Sequence, residues 1–118
     1  MKKKISRNQI QRIYSSGKKI KSEIFILFWE LSYDKLNDSV AVISIPKNKI
    51  KKAVDRNRLK RRIKESLSIK SELAYSILDL KINFILIYNK KTVLNFKQIN
   101  KDLVNLFGKL LIKVNESI

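Results

Sequence analysis

Residues 81–88 restrict the possible folds most strongly, because their apolar side chains occupy both faces of a predicted β-strand. A strand that is apolar on both faces belongs in the centre of a sheet. Residues 23–33 predict an aromatic-rich strand, and residues 39–45 predict another that runs antiparallel to it and ends at Pro46. A small sheet built around residues 81–88 is therefore expected.

The segments beside these strands repeat apolar residues at helical spacing. They predict three helices, at residues 6–16, 53–75 and 95–115. Residues 71–80 are ambiguous, because they could extend the second helix or form a loop. The predicted fold is α+β: a single-domain α/β sandwich over residues 1–118, in the order αββαβα, with helices packed on a small mixed sheet.

The charge of the chain is strongly positive and unevenly distributed. Its 27 lysines and arginines outnumber its 10 acids, for a formal net charge of +17. Residues 1–21 hold eight basic residues and no acid, and residues 47–64 hold ten with one acid, so these two segments account for the whole excess. Positive charge concentrated on folded elements is typical of nucleic-acid binding, and a polyanionic partner is expected.

The same composition excludes several classes of enzyme. Histidine and cysteine are both absent, which rules out imidazole bases, thiol nucleophiles, zinc fingers and disulfide scaffolds. The acids are scattered, and the tightest group, Glu30, Asp34 and Asp38, flanks a predicted turn. We therefore predict no catalytic residue and no protein metal site, and Asp55 is expected to favour the start of the second helix.

The longest apolar run, residues 24–29, is far too short to cross a bilayer, and no secretory signal is apparent. A cytoplasmic protein without a membrane partner is therefore expected. The basic first helix could in principle lie on a membrane surface, but its apolar stripe is too short to favour this.

Arginine is rare in this chain, yet four of its six arginines lie close together: Arg56, Arg58, Arg61 and Arg62. A guanidinium group offers a planar fork of donors that matches phosphate, which an ammonium group does not. At 100° per residue, Arg58, Arg61 and Arg62 lie roughly opposite the apolar strip of the second helix. Lys60 falls at the edge of that strip. Arg56 falls within it, where it could reach past the helix end.

Two aromatic side chains lie near the basic segments, Tyr14 in the first helix and Phe28 in the strand at residues 23–33. Aromatic rings stack on unpaired bases and contribute about 1–3 kcal/mol per base. Ordinary packing in the core is the alternative for both residues, so both interpretations stay open at this point.

One segment carries a family resemblance: residues 53–65 read AVDRNRLKRRIKE. It is similar to the Arg-Asn-Arg motif of the bacterial ribonuclease P protein subunit, with its Ala-Val lead-in, branched apolar residue and basic tail. The resemblance covers nearly the whole chain, since the short first helix, the aromatic-rich strand and the final helix all have counterparts. It implies the fold of that family, with a left-handed β-α-β crossover where the physical default is right-handed.

The resemblance implies the protein subunit of a ribonucleoprotein endonuclease that removes the 5′ leader of precursor tRNA. In that family the RNA subunit carries out the hydrolysis with bound Mg²⁺, and the protein binds the catalytic RNA and the single-stranded leader. The expected partners are therefore the ribonuclease P RNA and precursor tRNA, without an obligate protein partner.

The resemblance also assigns residues by position. The surface expected to bind the catalytic RNA comprises Arg56, Asn57, Arg58, Arg61, Arg62 and Lys64. The cleft expected to bind the leader, between the first helix and the sheet, comprises Ile10, Tyr14, Phe28 and Lys60. Two of these residues depart from the family, since Ile10 stands where phenylalanine is common and Phe28 where tyrosine is common. Residues 46–52 also match the common family spacing poorly.

Two other functions were weighed, and the first of them shares the charge and the predicted architecture. A structural RNA-binding module, such as a ribosomal protein or an RNA chaperone, predicts RNA binding without an effect on leader removal. An autonomous metal-dependent nuclease predicts cleavage by the protein alone, lost when one carboxylate is changed. The motif at residues 53–65 favours the ribonuclease P role over both.

Overall fold

The computed structural model describes residues 7–16, 18–31, 41–69 and 82–117. Its elements, in chain order, are α1 (Arg7–Ser15), β1 (Lys19–Lys21), β2 (Phe25–Leu31), β3 (Ala41–Ser44), α2 (Ala53–Ile69), β4 (Ile82–Tyr88) and α3 (Phe96–Ser117). The fold is α+β and the predicted order is confirmed, with β1 as an additional short strand that was not predicted. The predicted turn at residues 34–38, the ambiguous segment 71–80 and some predicted element ends lie outside the described residues.

Among the described residues, four strands form one mixed sheet in the order β1-β2-β4-β3. β4 pairs antiparallel with β2 on one side and parallel with β3 on the other. This central position is the one that its two apolar faces predicted. β2 and β3 run antiparallel, as predicted, but they are not neighbours because β4 lies between them. The parallel strands β3 and β4 are joined through α2, and the left-handed sense of this crossover stays a prediction.

One face of the sheet forms the main hydrophobic core with α2 and α3. Phe25, Leu27 and Trp29 of β2 point to this side and alternate with half-buried residues that point away. Leu59 and Ile63 of α2 are fully buried in the same cluster. The contribution of α3 comprises Ile99, Leu103, Leu106, Phe107, Leu110 and Val114. The predicted apolar strips of both helices are thus core faces, which turns their opposite sides to solvent.

α1 packs against β2 and β4 on the other face of the sheet. Its Ile13 is fully buried, and its Tyr14 contacts the ring of Phe28, which points away from the main core. α1 covers only part of this face, because Ile26, Phe28 and Ile87 remain half-buried. The sheet is therefore covered by two helices on one side and by one on the other, which leaves part of this face open beside α1, where the cleft is expected.

Polar side chains tie α3 to its neighbours. Ser66 Oγ of α2 donates a hydrogen bond to Asn100 Oδ1 of α3 (2.8 Å). The buried carboxylate of Asp102 accepts hydrogen bonds from Ser22 Oγ and from the N–H of Ile24 (3.2 Å). These bonds satisfy buried polar groups and join α3 both to α2 and to the turn between β1 and β2.

Candidate nucleic-acid interface

The solvent side of α2 is strongly basic. Since Leu59 and Ile63 are fully buried, helical spacing turns the opposite side of α2 outward. The α2 basic face comprises exposed residues of this side, Asn57, Arg58, Lys60, Arg61 and Lys64, and the exposed acid Glu65 lies among them. Within the described ranges, the side chains of Arg58 and Arg61 make no hydrogen bond or ion pair with another residue. Their guanidinium groups can therefore bind an external anion without breaking a contact to the described residues.

Arg56 lies at the start of α2 and contacts the loop before it. Its Nη1 donates hydrogen bonds to the carbonyl oxygens of Ile50 (2.9 Å) and Lys51 (2.8 Å). The side chain thus reaches past the helix end, as the sequence predicted for a basic residue within the apolar strip. These bonds hold the backbone that leads into α2. A contact between Arg56 and RNA stays a prediction.

Arg62 departs from its predicted place on the outward side of α2. It is half-buried, and its Nη1 donates a hydrogen bond to the carbonyl oxygen of Leu94 (2.7 Å) in the connection between β4 and α3. Helical geometry explains the difference, because Arg62 directly precedes the buried Ile63 and lies three residues after the buried Leu59. Its side chain therefore borders the core, and a contact between Arg62 and RNA stays a prediction.

Tyr88 holds the same connection from the core side. Its phenol donates a hydrogen bond to the carbonyl oxygen of Thr92 (2.6 Å) and accepts one from the N–H of Leu94 (3.2 Å). Burial raises the pKa of the Tyr88 phenol above its ordinary value, although the bond from Leu94 and the charge of Arg62 act in the opposite direction. The phenol is therefore protonated at neutral pH and can donate. Arg62 and Tyr88 together bond both backbone groups of Leu94.

A further basic surface lies at the N-terminal end of α2. A cavity of about 510 Å³ there is lined by lysines of two loops, namely Lys49, Lys51, Lys52 and Lys91. Asp55, in the first turn of α2, also lines this cavity, where its charge favours the helix N-terminus. The sequence did not place these lysines individually. The structure brings them together because the loop before α2 meets the connection between β4 and α3.

An ion pair holds α1 on the sheet. Arg12 donates from Nε to both carboxylate oxygens of Glu30 (3.2 Å each) and from Nη2 to one of them (3.0 Å). The Glu30 carboxylate also accepts a hydrogen bond from Asn83 Nδ2 (3.1 Å), and Ser16 Oγ donates to the carbonyl oxygen of Trp29 (3.0 Å). This arrangement was not predicted, because in the sequence Glu30 stands out only as an acid beside a predicted turn.

Replacing Arg12 by alanine is expected to destabilise the protein by about 1 kcal/mol, since the change leaves the Glu30 carboxylate without its charged partner. The effect is modest because the Arg12 side chain is 61% exposed, although that of Glu30 is only 13% exposed. The melting temperature should fall by about 4 °C, and amide hydrogen exchange should accelerate within α1. Arg7→Ala removes an exposed arginine from the same helix and serves as the control. Equal effects of the two variants would show that the ion pair does not hold α1.

Beside α1 the structure brings Tyr14 and Phe28 together, as the resemblance implied. Their ring centroids lie 4.8 Å apart in an edge-on arrangement. Tyr14 is 41% exposed, and Ile10 is half-buried one turn earlier on α1. The interpretation that Tyr14 packs in the core is therefore wrong, and its ring is accessible to a ligand. Lys60 is exposed on α2 without a contact to this aromatic pair in the described parts of the chain, and its place in the cleft stays a prediction.

β1 adds a basic residue to the cleft that sequence analysis missed. Lys19 pairs directly with Phe28 in the ladder between β1 and β2, and its Nζ lies 5.7 Å from the centroid of the Phe28 ring. Lys19 and Lys21 are exposed, whereas Ile20 between them is buried. This alternation was the available signal, but three residues are too few to identify a strand.

No group of three or more histidine, cysteine, aspartate and glutamate side chains in the described part of the chain comes close enough to hold a metal ion. Glu30 and Asp102 bond to other protein groups, as described above. None of the described helices is both long enough and apolar enough to cross a membrane.

Comparison with known proteins connects this geometry to a family. The sequence profile of the Ribonuclease P family matches residues 2–111. The solved structure of the Staphylococcus aureus RNase P protein is 24% identical, with a TM-score of 0.72, and the match covers 90% of this chain and 92% of that chain. The RNase P protein from Thermotoga maritima is 20% identical, also with a TM-score of 0.72, over 92% of this chain and 97% of that chain.

At these identities the two solved structures show a common fold. A search of curated protein sequences gives no match. The profile, however, matches nearly the entire sequence, including both α1 and the α2 basic face. The chain therefore belongs to the ribonuclease P protein family.

Proposed function

We propose that this chain is the protein subunit of a ribonuclease P ribonucleoprotein that removes the 5′ leader of precursor tRNA. Membership of the family supports the subunit role. The observation that carries the proposal is that two separate surfaces suit RNA, the α2 basic face and the cleft beside α1. A subunit that holds a catalytic RNA and a substrate strand at the same time needs two such surfaces.

The α2 basic face suits the catalytic RNA. Its two arginines, Arg58 and Arg61, are exposed and have no internal partner within the described ranges, so phosphate binding would not disrupt the fold. A guanidinium group can bind phosphate in a bidentate manner, and each phosphate neutralised makes the affinity more sensitive to salt. Asn57 and Lys64 extend this surface, and Arg56 and Arg62 border it from their half-buried positions.

The cleft beside α1 suits the single-stranded leader. Stacking on an aromatic ring requires an unpaired base, and the exposed ring of Tyr14 offers such a surface. Phe28 supports that ring from the sheet, and Ile10 adds an apolar contact one turn away. Because Ile10 has no ring, we expect one stacking position fewer than in family members with phenylalanine there.

In this proposal the side chains of the protein bind and position RNA, and the hydrolysis takes place on the RNA subunit with bound Mg²⁺. No residue of this chain is assigned a catalytic role. The cationic side chains reduce the repulsion between the phosphates of the two RNAs, and the cleft holds the leader in one orientation. We place the protein in the cytoplasm with its two partners, the ribonuclease P RNA and precursor tRNA.

The proposal is tested by reconstitution. The purified protein is mixed with its cognate ribonuclease P RNA and a precursor tRNA at low Mg²⁺, and the rate of 5′ leader removal is measured. Low Mg²⁺ is chosen because fewer divalent cations then screen the repulsion between RNAs, so the protein contributes more. We expect rapid leader removal only in the complete mixture, with no cleavage by the protein alone and slow cleavage by the RNA alone.

Two outcomes would assign the chain to another function. If RNA binding is salt-sensitive but leader removal is not stimulated, the chain is a structural RNA-binding module. If the protein alone cleaves RNA, it is an autonomous nuclease. The variant Lys97→Ala/Lys109→Ala removes two exposed charges from α3, outside both surfaces, and should stimulate leader removal as the unchanged protein does.

A further inference from the structure

We propose that Lys19 and Lys21 of β1 bind the phosphates of the single-stranded leader, while Tyr14 stacks on one of its bases and Phe28 positions both groups. This inference rests on the proposed function and assigns two residues that the resemblance did not. These residues lie on the sheet face that α1 covers only in part.

The strand register places a partly exposed apolar strip on this face. Phe28 of β2 lies beside Ile85 of β4, and Ile26 lies beside Ile87. Ile85 is buried, whereas Ile26, Phe28 and Ile87 are only half-buried. On the opposite face of the same strands, Phe25, Leu27 and Trp29 are buried in the main core, so the cleft side is the more exposed one. An apolar strip of this kind suits the flat surfaces of nucleobases.

Two cations form the edge of this strip. Lys19 pairs with Phe28 and Lys21 pairs with Ile26, so both lysines share the face of the strip. Both are exposed, and strand geometry separates them by about 7 Å. That separation is comparable to the distance between successive phosphates in an extended single strand. Neither lysine has an acidic partner among the described residues.

The charge of the face favours a polyanion. Among the described strand residues, the carboxylate on this face belongs to Glu30, and it is already paired with Arg12 at 3.0 Å. Asn83 donates a further hydrogen bond to it. The remaining charges on the face, from Lys19 and Lys21, are positive. A strand of RNA that crosses the cleft would therefore meet cations at the edge and apolar surface beside them.

The contacts around Phe28 indicate a different role for each of three side chains, those of Tyr14, Lys19 and Phe28. Tyr14 meets the Phe28 ring edge-on at 4.8 Å, and Lys19 Nζ lies over the ring at 5.7 Å. Phe28 is half-buried and in contact with two side chains, whereas Tyr14 is 41% exposed. Tyr14 is therefore the ring that a base can reach. Phe28 is a positioning residue, which holds Tyr14 by an aromatic contact and Lys19 by a cation–π contact.

The neighbouring Lys18 provides a matched control. Its Nζ lies 4.8 Å from the centroid of the Trp29 ring, and Trp29 belongs to the opposite face of the sheet. Lys18 and Lys19 are therefore adjacent, carry the same charge and each lie over an aromatic ring. They differ in the face of the sheet on which their side chains lie. If only the total positive charge matters, Lys18→Ala and Lys19→Ala should weaken the binding of precursor tRNA equally. If Lys19 contacts the leader, only Lys19→Ala should weaken it.

The test compares holoenzymes reconstituted with the unchanged protein, with Lys19→Ala, with Lys19→Ala/Lys21→Ala and with Lys18→Ala. The dissociation constant is measured for precursor tRNA with a leader several nucleotides long and for mature tRNA without a leader, over a series of salt concentrations. We expect the double variant to bind precursor tRNA about tenfold more weakly and mature tRNA equally well. Its log–log salt slope for precursor tRNA should fall by about 0.7 for each lysine. Lys18→Ala should change the affinity for neither tRNA. Lys19→Arg/Lys21→Arg keeps both charges and should bind precursor tRNA as tightly as the unchanged protein.

Several results would overturn the assignment. These are an unchanged affinity for precursor tRNA, an equal loss for mature tRNA, or an equal loss with Lys18→Ala. Competition for the face by polyglutamate, but not by a leader oligonucleotide, would instead assign it to an acidic protein partner. The variant Tyr14→Ala separates this failure from failure of the proposed function. Suppose that Tyr14→Ala weakens the binding of precursor tRNA but not of mature tRNA, while the lysine variants weaken neither. The ribonuclease P role then stands and the lysine assignment is wrong.

Discussion

The double variant Arg58→Ala/Arg61→Ala is expected to bind ribonuclease P RNA about 100-fold more weakly than the unchanged protein. A hydrogen bond to a charged group contributes about 1.5–3 kcal/mol, and each 1.4 kcal/mol corresponds to a tenfold change in affinity. Both arginines are exposed without an internal partner in the described ranges, so the loss should appear almost entirely in binding. Equilibrium titration of labelled RNA at fixed salt measures the effect, and circular dichroism checks that the fold is retained.

Two further variants separate charge from geometry. Arg58→Lys/Arg61→Lys keeps both charges but removes the guanidinium fork, and it should recover only part of the lost affinity. Lys97→Ala/Lys109→Ala removes the same net charge from α3 and should have little effect. The log–log salt slope of the alanine variant should be lower by about 0.7–0.9 per arginine. An affinity equal to that of the unchanged protein would remove the α2 basic face from the RNA interface.

Replacing Ile63 by alanine is expected to lower the free energy of unfolding by about 2–5 kcal/mol. Ile63 is fully buried in the main core and anchors the helix that carries the basic face. Truncation removes apolar contacts and leaves a cavity that the neighbouring side chains cannot fill without moving. Since domains of this kind are stable by only about 5–15 kcal/mol, a large part of the stability would be lost. Urea denaturation followed by circular dichroism measures the change.

The same helix supplies the control for this prediction. Val54 is 65% exposed in the first turn of α2, so Val54→Ala should change stability by less than about 0.5 kcal/mol. RNA binding distinguishes a folding defect from an interface defect, because a ligand that binds the native state stabilises it. We therefore expect Ile63→Ala to recover its activity at high RNA concentration. Similar losses of stability in the two variants would show that Ile63 does not anchor α2.

The sequence predicted the elements of the fold because hydrophobic periodicity is a local property. Residues 81–88 were apolar on both faces, and β4 is central between β2 and β3. The α2 strip of Leu59 and Ile63 is buried, as its spacing predicted. β1 was missed because a strand of three residues owes its existence to pairing with β2, and that pairing leaves almost no pattern in the sequence.

The candidate site was predicted only in part, because only some of its features depend on local spacing. The exposure of Arg58 and Arg61 follows from their helical spacing relative to the buried strip, so it could be predicted from the sequence. The burial of Arg62 depends on the carbonyl oxygen of Leu94, which lies 32 residues further along the chain. The position of Lys19 over Phe28 depends on strand register. Neither contact is local, and neither could be derived from spacing.

By itself, the sequence determined the character of each element: which side of a helix or strand is apolar, where the positive charge is concentrated, and which family the basic motif resembles. These properties depend on residues within a few positions of one another. Tertiary structure alone decided which elements meet. It placed β4 between β2 and β3, docked α1 through Arg12 and Glu30, and aligned Lys19 with Phe28. The physical reason is that such contacts join groups far apart in the chain, whose proximity exists only once the sheet has assembled.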